Sequence, residues 1–471
     1  MKNFLTGLHG ILWGAPALVL ILGVGLDLTV RTGFVQLTML GRALRLFLQR
    51  LRHPGRSKTG MTSFQALCTA LAATVGTGNL VGVAGALCIG GPGSIFWMWI
   101  CGILGMATKY AEVTLAVRYR VRQGREYLGG PMYMIREGLG EKWKGLALCY
   151  SFFGVLAAFG VGNAVQINAV ISAVNGVVSR WGGRETEAGN LAMGLLLAGV
   201  IGAMLLGGAL RIGRTAERLV PFAAGAYILL CVAALIARRQ ALPQALHTIL
   251  LGAFSPRAAT GGALGSAFLS LRVGCARGVF TNEAGMGTAS IAHASAEVSH
   301  PAEQGLMGLI EVFLDTIVLC TLTALVILTA GVPIPYGVDR GAELTVSAFS
   351  RVWGDWAGTA IAIFLGIFAF ATVLGWGLYG ARCGQFLFGP GAYRKLALAQ
   401  TAMVVLGSVL QTDTVWLLAE TVNGLMAIPN LIALLLLTPE LVHLTDQYRR
   451  KIGGSTAGGG NHADFHQCEP L

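Results

Sequence analysis

Long, nearly charge-free apolar runs dominate this chain, and short polar or basic stretches separate them. The runs fall at 11–30, 64–88, 94–117, 147–178, 189–210, 219–237, 260–290, 306–331, 356–380, 396–411 and 415–437. A helix needs about 20 apolar residues to cross the hydrocarbon of a bilayer. Most of the eleven runs reach that length; the tenth is short, and the seventh is long and broken. The pattern predicts an all-α polytopic membrane protein with about eleven transmembrane helices. One run holds an anomaly, "AATVGTGNLVGVAGAL" (72–87), in which Gly76, Gly78, Gly82 and Gly85 alternate with Thr74, Thr77 and Asn79. Glycine is among the poorest helix formers, so this run is expected to break in mid-membrane.

Setting the first run aside leaves ten, which divide into 64–238 and 260–437 with five spans each. An odd number of spans makes the two halves start on opposite sides of the membrane, the arrangement of an inverted-topology repeat. Each half opens on a glycine-interrupted run; the second reads "GGALGSAFLSLRVGCARGVF" (261–280). Paired interruptions of this kind point to a binding site near the bilayer midplane. A broken helix frees backbone N–H and C=O groups, each costing several kcal/mol if left in hydrocarbon. Free N–H groups at the start of a half-helix suit a carboxylate, and free carbonyls suit a desolvated cation such as Na⁺. Gly78, Gly82 and Gly85 are also spaced as a ridge for close helix packing; packing alone has no need of Asn79 and the threonines. The expected organisation is one transmembrane domain over 1–445, built of an extra helix (11–30), a first repeat (64–238) and a second repeat (260–437), followed by a cytoplasmic tail (446–471).

Composition agrees. The chain is 54% hydrophobic and 12% charged, about half the charge of a soluble domain, with a mean hydropathy of +0.67. The net charge of +12 carries no aromatic-basic interleaving and does not suggest nucleic acid. Of the 34 Lys and Arg, 23 lie in alternate loops (31–60, 118–146, 211–218, 382–395 and 449–451) and eight in the others. The positive-inside rule then predicts a multi-pass protein of the cell inner (plasma) membrane, N-terminus outside and C-terminus cytoplasmic. The first run lacks a small-residue cleavage site and is read as a retained span. The cysteines lie mostly inside apolar runs with no CxxC, as small buried hydrophobes do. His462, His466 and Cys468 fall in a Gly-rich tail whose composition is that of a disordered segment rather than a metal site.

Five stretches in order, "TVGTGNLVGVAGAL" (74–87), "GGPGSIFWMWICGILGMATKYAE" (90–112), "YLGGPMYMIREGL" (127–139), "RGVFTNEAGMGTASIAHASA" (277–296) and "FATVLGWGLYGARC" (370–383), resemble the alanine or glycine:cation symporter family of bacteria and archaea. The resemblance runs from about Trp13 to Leu437. It implies a Na⁺-coupled, sometimes H⁺-coupled, importer of alanine, glycine or a similar small amino acid, with the ten-helix inverted repeat of the sodium:neurotransmitter symporter type plus one N-terminal helix. Carried over by motif, Val75, Gly76, Thr77 and Gly78 resemble the segment that holds the substrate carboxylate, with Asn79 in the same site. Gln166 resembles a pocket glutamine, and Thr372 and Trp376 resemble residues that contact the substrate and wall the pocket. The coupling Na⁺ resembles one held by Ala73, Thr74, Gly76 and Thr372. The family often has Ser-Thr where this chain has Ala371-Thr372, which removes one hydroxyl from the ion site.

The residues themselves are consistent with those roles. An amide deep in a span needs a partner, which a zwitterion supplies to Gln166 and a neighbouring helix could equally supply. Thr372 and Trp376 are four apart and share a helix face. Charged groups inside spans are functional candidates by default. Lys109 and Glu112, three apart, are expected to form a structural ion pair. Arg277 and Glu283 are expected to latch the cytoplasmic gate, unless that gate simply faces water. Glu311 and Asp315, four apart, would repel if both were ionised, so one is expected to be protonated or paired with an Arg; they are the candidates for proton coupling. No cofactor motif is present, so a cation gradient would supply the energy. The expected partners are a small amino acid, Na⁺ or H⁺, and lipid. A small-solute channel would need a continuous pore, and a membrane-embedded enzyme a catalytic constellation; neither pattern is visible.

Overall fold

The computed structural model describes residues 12–53, 60–124, 126–255, 267–409 and 413–457, together with Gly7, Gly10, Gly55 and Ser57. The chain is a bundle of helices: α1 (Ala15–Arg31), α2 (Leu40–Arg52), α3 (Ser63–Thr74), α4 (Val83–Gly90), α5 (Gly93–Arg118), α6 (Lys144–Phe159), α7 (Val165–Arg180), α8 (Glu187–Leu206), α9 (Gly208–Ala237), α10 (Leu242–Phe254), α11 (Ala267–Asn282), α12 (Thr288–His293), α13 (Pro301–Val312), α14 (Thr321–Thr329), α15 (Gly341–Trp353), α16 (Trp356–Phe388), α17 (Ala392–Val409) and α18 (Asp413–Ala457). A small antiparallel hairpin, Val121–Gln123 with Glu126–Leu128, follows α5.

Each of the eleven expected runs overlaps helix among the described residues. Among the described residues, seven helices are long and apolar enough to cross a membrane unaided, and the bent pair α3–α4 makes an eighth. The shortfall from eleven has local causes. Helix α1 has only 17 residues, the second broken span divides into α11 and α12, and the 18-residue α17 of the tenth run carries Arg394 and Lys395 near its start. Gly261, Gly262 and Gly265, expected to interrupt that span, lie outside the described residues, as do His462, His466 and Cys468. The final helix runs on past 446, through Ala457.

The first predicted break is present. Helices α3 and α4 meet at 51°, separated by Val75–Gly76 and a wide π-helical turn, Gly78–Gly82. Thr62 begins α3 with a reciprocal capping box to Gln65, so this half-helix is well defined up to where it stops. Two more π-helical turns face the same region: Gly160–Ala164 joins α6 to α7, and Phe313–Cys320 joins α13 to α14. Such turns shift the backbone register and recur at functional sites. The core lies between the broken helices and the long helix α16, where Trp376, Tyr110, Tyr150, Tyr227, Tyr379 and Lys109 are among the largest fully buried side chains.

Candidate functional site

Where α3 stops and the next half-helix starts, the chain lines a small, tightly closed cavity. Its wall comprises Ala73, Thr74, Gly76, Thr77 and Gly78 from the break, Val161 and Gln166 from the π-turn and α7, and Phe280, Thr281 and Glu283 from the end of α11. Thr372 and Trp376 of α16 and Asn423 of α18 complete it. Six helical segments from both halves thus converge on one space.

The chemistry of the wall is uneven. The last carbonyls of α3 and the first N–H groups of the half-helix beyond it have no intrahelical partner. Two buried amide oxygens, Gln166 Oε1 and Asn423 Oδ1, have no hydrogen-bond partner among the described residues; Gln166 Nε2 is taken by the Val161 carbonyl at 3.3 Å. Trp376 is fully buried and donates its indole N–H to Glu283 Oε1 at 3.1 Å. Its close approach is allowed by Gly162, where an added Cβ would come 2.4 Å from the Trp376 Cβ. The Thr372 hydroxyl bonds the Phe368 carbonyl at 3.0 Å and lies against Gly76, 3.0 Å from where a Cβ there would be.

Two expected wall residues stand elsewhere. Val75 and Asn79 are buried but do not line the cavity. In the wide turn the Asn79 amide folds back, and its Oδ1 accepts the Gly76 N–H at 2.9 Å. Its Nδ2 donates to Asp315 Oδ1 at 2.7 Å and to the Asp315 carbonyl at 3.1 Å. The Thr316 hydroxyl donates to Asp315 Oδ2 at 2.9 Å and itself accepts from Asn282 Nδ2 at 3.1 Å. Asp315 is thus held by directed donors, not by an Arg.

The second break, Glu283–Gly287, is satisfied differently. Glu112 of α5 reaches across with Oε1 and accepts the N–H groups of Gly285 (2.8 Å) and Gly287 (3.0 Å). Asn430 of α18 donates both to that oxygen (2.7 Å) and to the Gly285 carbonyl (2.8 Å). Gly285 (φ 96) and Gly287 (φ 76) are left-handed, as is Glu283 at φ 53. A non-glycine residue held there costs about 1–3 kcal/mol and clusters at functional sites. The turn is what swings Glu283 into the cavity, where its other oxygen accepts from Thr288 at 2.5 Å.

The expected Arg277–Glu283 latch is therefore corrected. Arg277 pairs with Asp339 at 3.2 Å, while Glu283 is committed to Trp376 and Thr288; the left-handed turn points the two side chains apart. The Lys109–Glu112 pair is present at 4.0 Å, but Lys109 lies closer to Glu311, at 3.4 Å. Glu311 is also partnered by His293 at 3.0 Å, and His293 by Gln304 at 2.7 Å. The partners of Glu311 are thus a lysine and a histidine, where protonation of it or of Asp315, or pairing with an arginine, was expected. Sequence reasoning missed Asn423 and Asn430 altogether. They are seven apart on one helix, hence on one face, and that spacing was the available signal.

Comparison with known proteins follows the same line. The model of the sodium:alanine symporter family matches residues 1–458. The sodium/alanine symporter AgcS of Methanococcus maripaludis is 42% identical over 452 residues, covering 95% of this chain and 97% of the relative. The amino-acid carrier protein AlsT of Bacillus subtilis is 37% identical over 449 residues, covering 93% and 91%. A Haemophilus influenzae protein described as an uncharacterized transporter is 41% identical over 456 residues, covering 96% and 97%. Among solved structures, MhsT in complex with L-phenylalanine aligns with a TM-score of 0.56 at 15% identity, covering 83% of this chain and 99% of that one. At that identity it is the fold that is shared: ten helices in a five-plus-five inverted repeat with broken first helices.

Proposed function

The chain belongs to the sodium:alanine symporter family, and from that premise we infer how this cavity imports a small amino acid together with Na⁺. The protein is a secondary active symporter for alanine, glycine or a similar small amino acid. The observation that carries the site is the pair of unpartnered buried oxygens, Gln166 Oε1 and Asn423 Oδ1, in the same cavity as the exposed start of a half-helix at Thr77–Gly78. A zwitterion satisfies both ends at once. Its carboxylate faces the half-helix N–H groups and their dipole, and its ammonium faces the two amide oxygens and Glu283. Val75 and Asn79 support that segment from behind, with Asn79 holding the Gly76 N–H. Trp376 and Gly162 close the space against larger side chains.

Na⁺ fits beside the substrate, on the carbonyl end of α3 at Ala73–Thr74, against Gly76 and the Thr372 hydroxyl. An all-oxygen set of this kind suits a hard cation. Substrate and ion together satisfy the freed backbone, which permits closure and rocking between outward and inward states. One charge crossing 100 mV is worth about 2.3 kcal/mol, roughly fifty-fold accumulation. The excess of Lys and Arg in alternate loops supports a cytoplasmic C-terminal end and a cytoplasmic 31–60 loop. H⁺ is the alternative coupling ion, and the buried His293–Glu311 contact at 3.0 Å is the observation that favours it.

The test is uptake of labelled alanine into proteoliposomes under an inward Na⁺ gradient, a matched H⁺ gradient, or neither, with wild type and Gln166→Leu. Accumulation that requires Na⁺ and falls at least tenfold in the variant is expected. Accumulation under H⁺ alone transfers the coupling to His293 and Glu311. No accumulation under either gradient contradicts the reading.

A further inference from the structure

The segment 31–60 contains seven Lys and Arg and no Asp or Glu. Most of it is α2, "LGRALRLFLQRLR", which follows directly after the first span. At 100° per residue this helix has three faces rather than two. One faces the protein: Ala43 is fully buried, Phe47 meets Phe64 with ring centroids 6.4 Å apart, and Arg50 pairs with Glu303 near the start of α13. The second carries Leu44, Leu48 and Leu51, of which the last two are 48% and 41% exposed. The third carries Arg42, Arg45, Gln49 and Arg52, all exposed. None of these three arginines forms an ion pair with a carboxylate among the described residues; Arg42 hydrogen-bonds the Tyr448 hydroxyl of α18.

An exposed apolar stripe beside an exposed basic stripe, at the end of a membrane-crossing helix, is what a helix lying in the plane of the bilayer surface requires. The leucines then enter the acyl boundary, and the guanidinium groups stand at the depth of the phosphates. Guanidinium groups bind phosphate through two parallel hydrogen bonds. A zwitterionic headgroup cancels its phosphate charge with its own cation; an anionic one does not. A second basic segment is fastened alongside: Arg449 of α18 donates to the carbonyls of Thr32 (2.8 Å) and Gly33 (3.1 Å), which brings exposed Arg450 to the same end.

We propose that α2 is a binding site for anionic phospholipid headgroups, which seat it against α13. Through Arg50 and Glu303 the bound lipid fixes the end of the helix that leads to Glu311 and Asp315, so transport depends on the lipid.

The full chain is reconstituted in phosphatidylcholine with and without phosphatidylglycerol, and its Tm and rate of Na⁺-driven alanine uptake are compared. Wild type is expected to gain several degrees and several-fold in rate from phosphatidylglycerol. The triple variant Arg42→Gln, Arg45→Gln, Arg52→Gln loses most of that gain, the triple Lys variant keeps most of the gain in Tm, and Arg238→Gln with Arg239→Gln behaves as wild type. If the triple Gln variant does not fold, Arg45→Gln alone is expected to bind fewer phosphatidylglycerol molecules by native mass spectrometry. Equal behaviour of wild type in the two lipids, or a full response in the Gln variants, overturns the proposal. So does inorganic phosphate reproducing the stabilisation in detergent, which makes the site one for free anions. Because Tm and lipid counts do not need uptake, failure here is distinguishable from failure of the transport reading.

Discussion

At the first break a neutral amide caps the chain: Asn79 Oδ1 accepts the Gly76 N–H. At the second a carboxylate does so: Glu112 Oε1 accepts the N–H groups of Gly285 and Gly287. Each break leans on a carboxylate from the other half of the repeat. Asp315, just beyond α13 in the second half, steadies Asn79; Glu112 in the first half steadies Gly285–Gly287. Lys109 lies between the two systems, 4.0 Å from Glu112 and 3.4 Å from Glu311. The difference teaches a division of labour. The second break is held by the Glu112 carboxylate and the Asn430 amide and serves as a frame that aims Glu283. The first is tied at Gly76 alone and leaves its neighbouring groups facing the cavity. Stability should therefore be concentrated at the second break and ligand affinity at the first.

The largest effect is expected from Glu112→Leu. It removes one member of a buried ion pair, a loss of about 3–5 kcal/mol, and strands two backbone N–H groups at about 1–3 kcal/mol each. Thermal unfolding or the yield of folded protein in detergent should fall steeply; a near-wild-type Tm breaks the comparison. Lys109→Met comes next, at about 3–5 kcal/mol, because Glu112 and Glu311 lose their shared cation, and size-exclusion profiles should show the loss. Asp315→Asn acts on the first break and should cost about 1–3 kcal/mol, read mainly as a rise in alanine KM. An equal fall in Tm for Asp315→Asn and Glu112→Leu removes the distinction between the breaks. Gln166→Leu deletes an acceptor with no partner among the described residues and one long bond to the Val161 carbonyl, so Tm should fall little while alanine affinity falls about tenfold, or 1.4 kcal/mol. Smallest is Thr372→Val, for which a few-fold rise in the Na⁺ concentration for half-maximal uptake is expected, about 0.5–1 kcal/mol for one hydroxyl ligand.

The first break was legible in sequence because helix breakers and polar residues inside an apolar run contradict their surroundings, and local contradiction needs no partner to be seen; the second was expected within 261–280, but Gly274 and Gly278 lie inside α11 and the chain breaks at Glu283–Gly287. The cavity was largely legible for the same reason: Gly76, Thr77, Gly78, Gln166, Thr372 and Trp376 all line it. What holds the breaks was not. Asn79–Asp315 and Glu112–Gly285 join residues more than 170 positions apart, and no periodicity reports such a pairing. Arg277 and Glu283 were mispaired because nearness in sequence stood in for nearness in space, and the left-handed backbone at Glu283 was invisible. Asn423 and Asn430 carried a readable seven-residue spacing, but a polar residue in a late apolar helix does not announce which cavity it faces.

The most direct measurement is the alanine dissociation constant across a Na⁺ titration, at constant ionic strength, on the purified wild-type protein. A substrate and an ion that satisfy the same broken backbone must favour each other's binding, and by the same factor in either direction. The account predicts that alanine binds at least tenfold more tightly in saturating Na⁺ and that alanine tightens Na⁺ equally. An alanine affinity that does not change with Na⁺ contradicts a shared site at the first break.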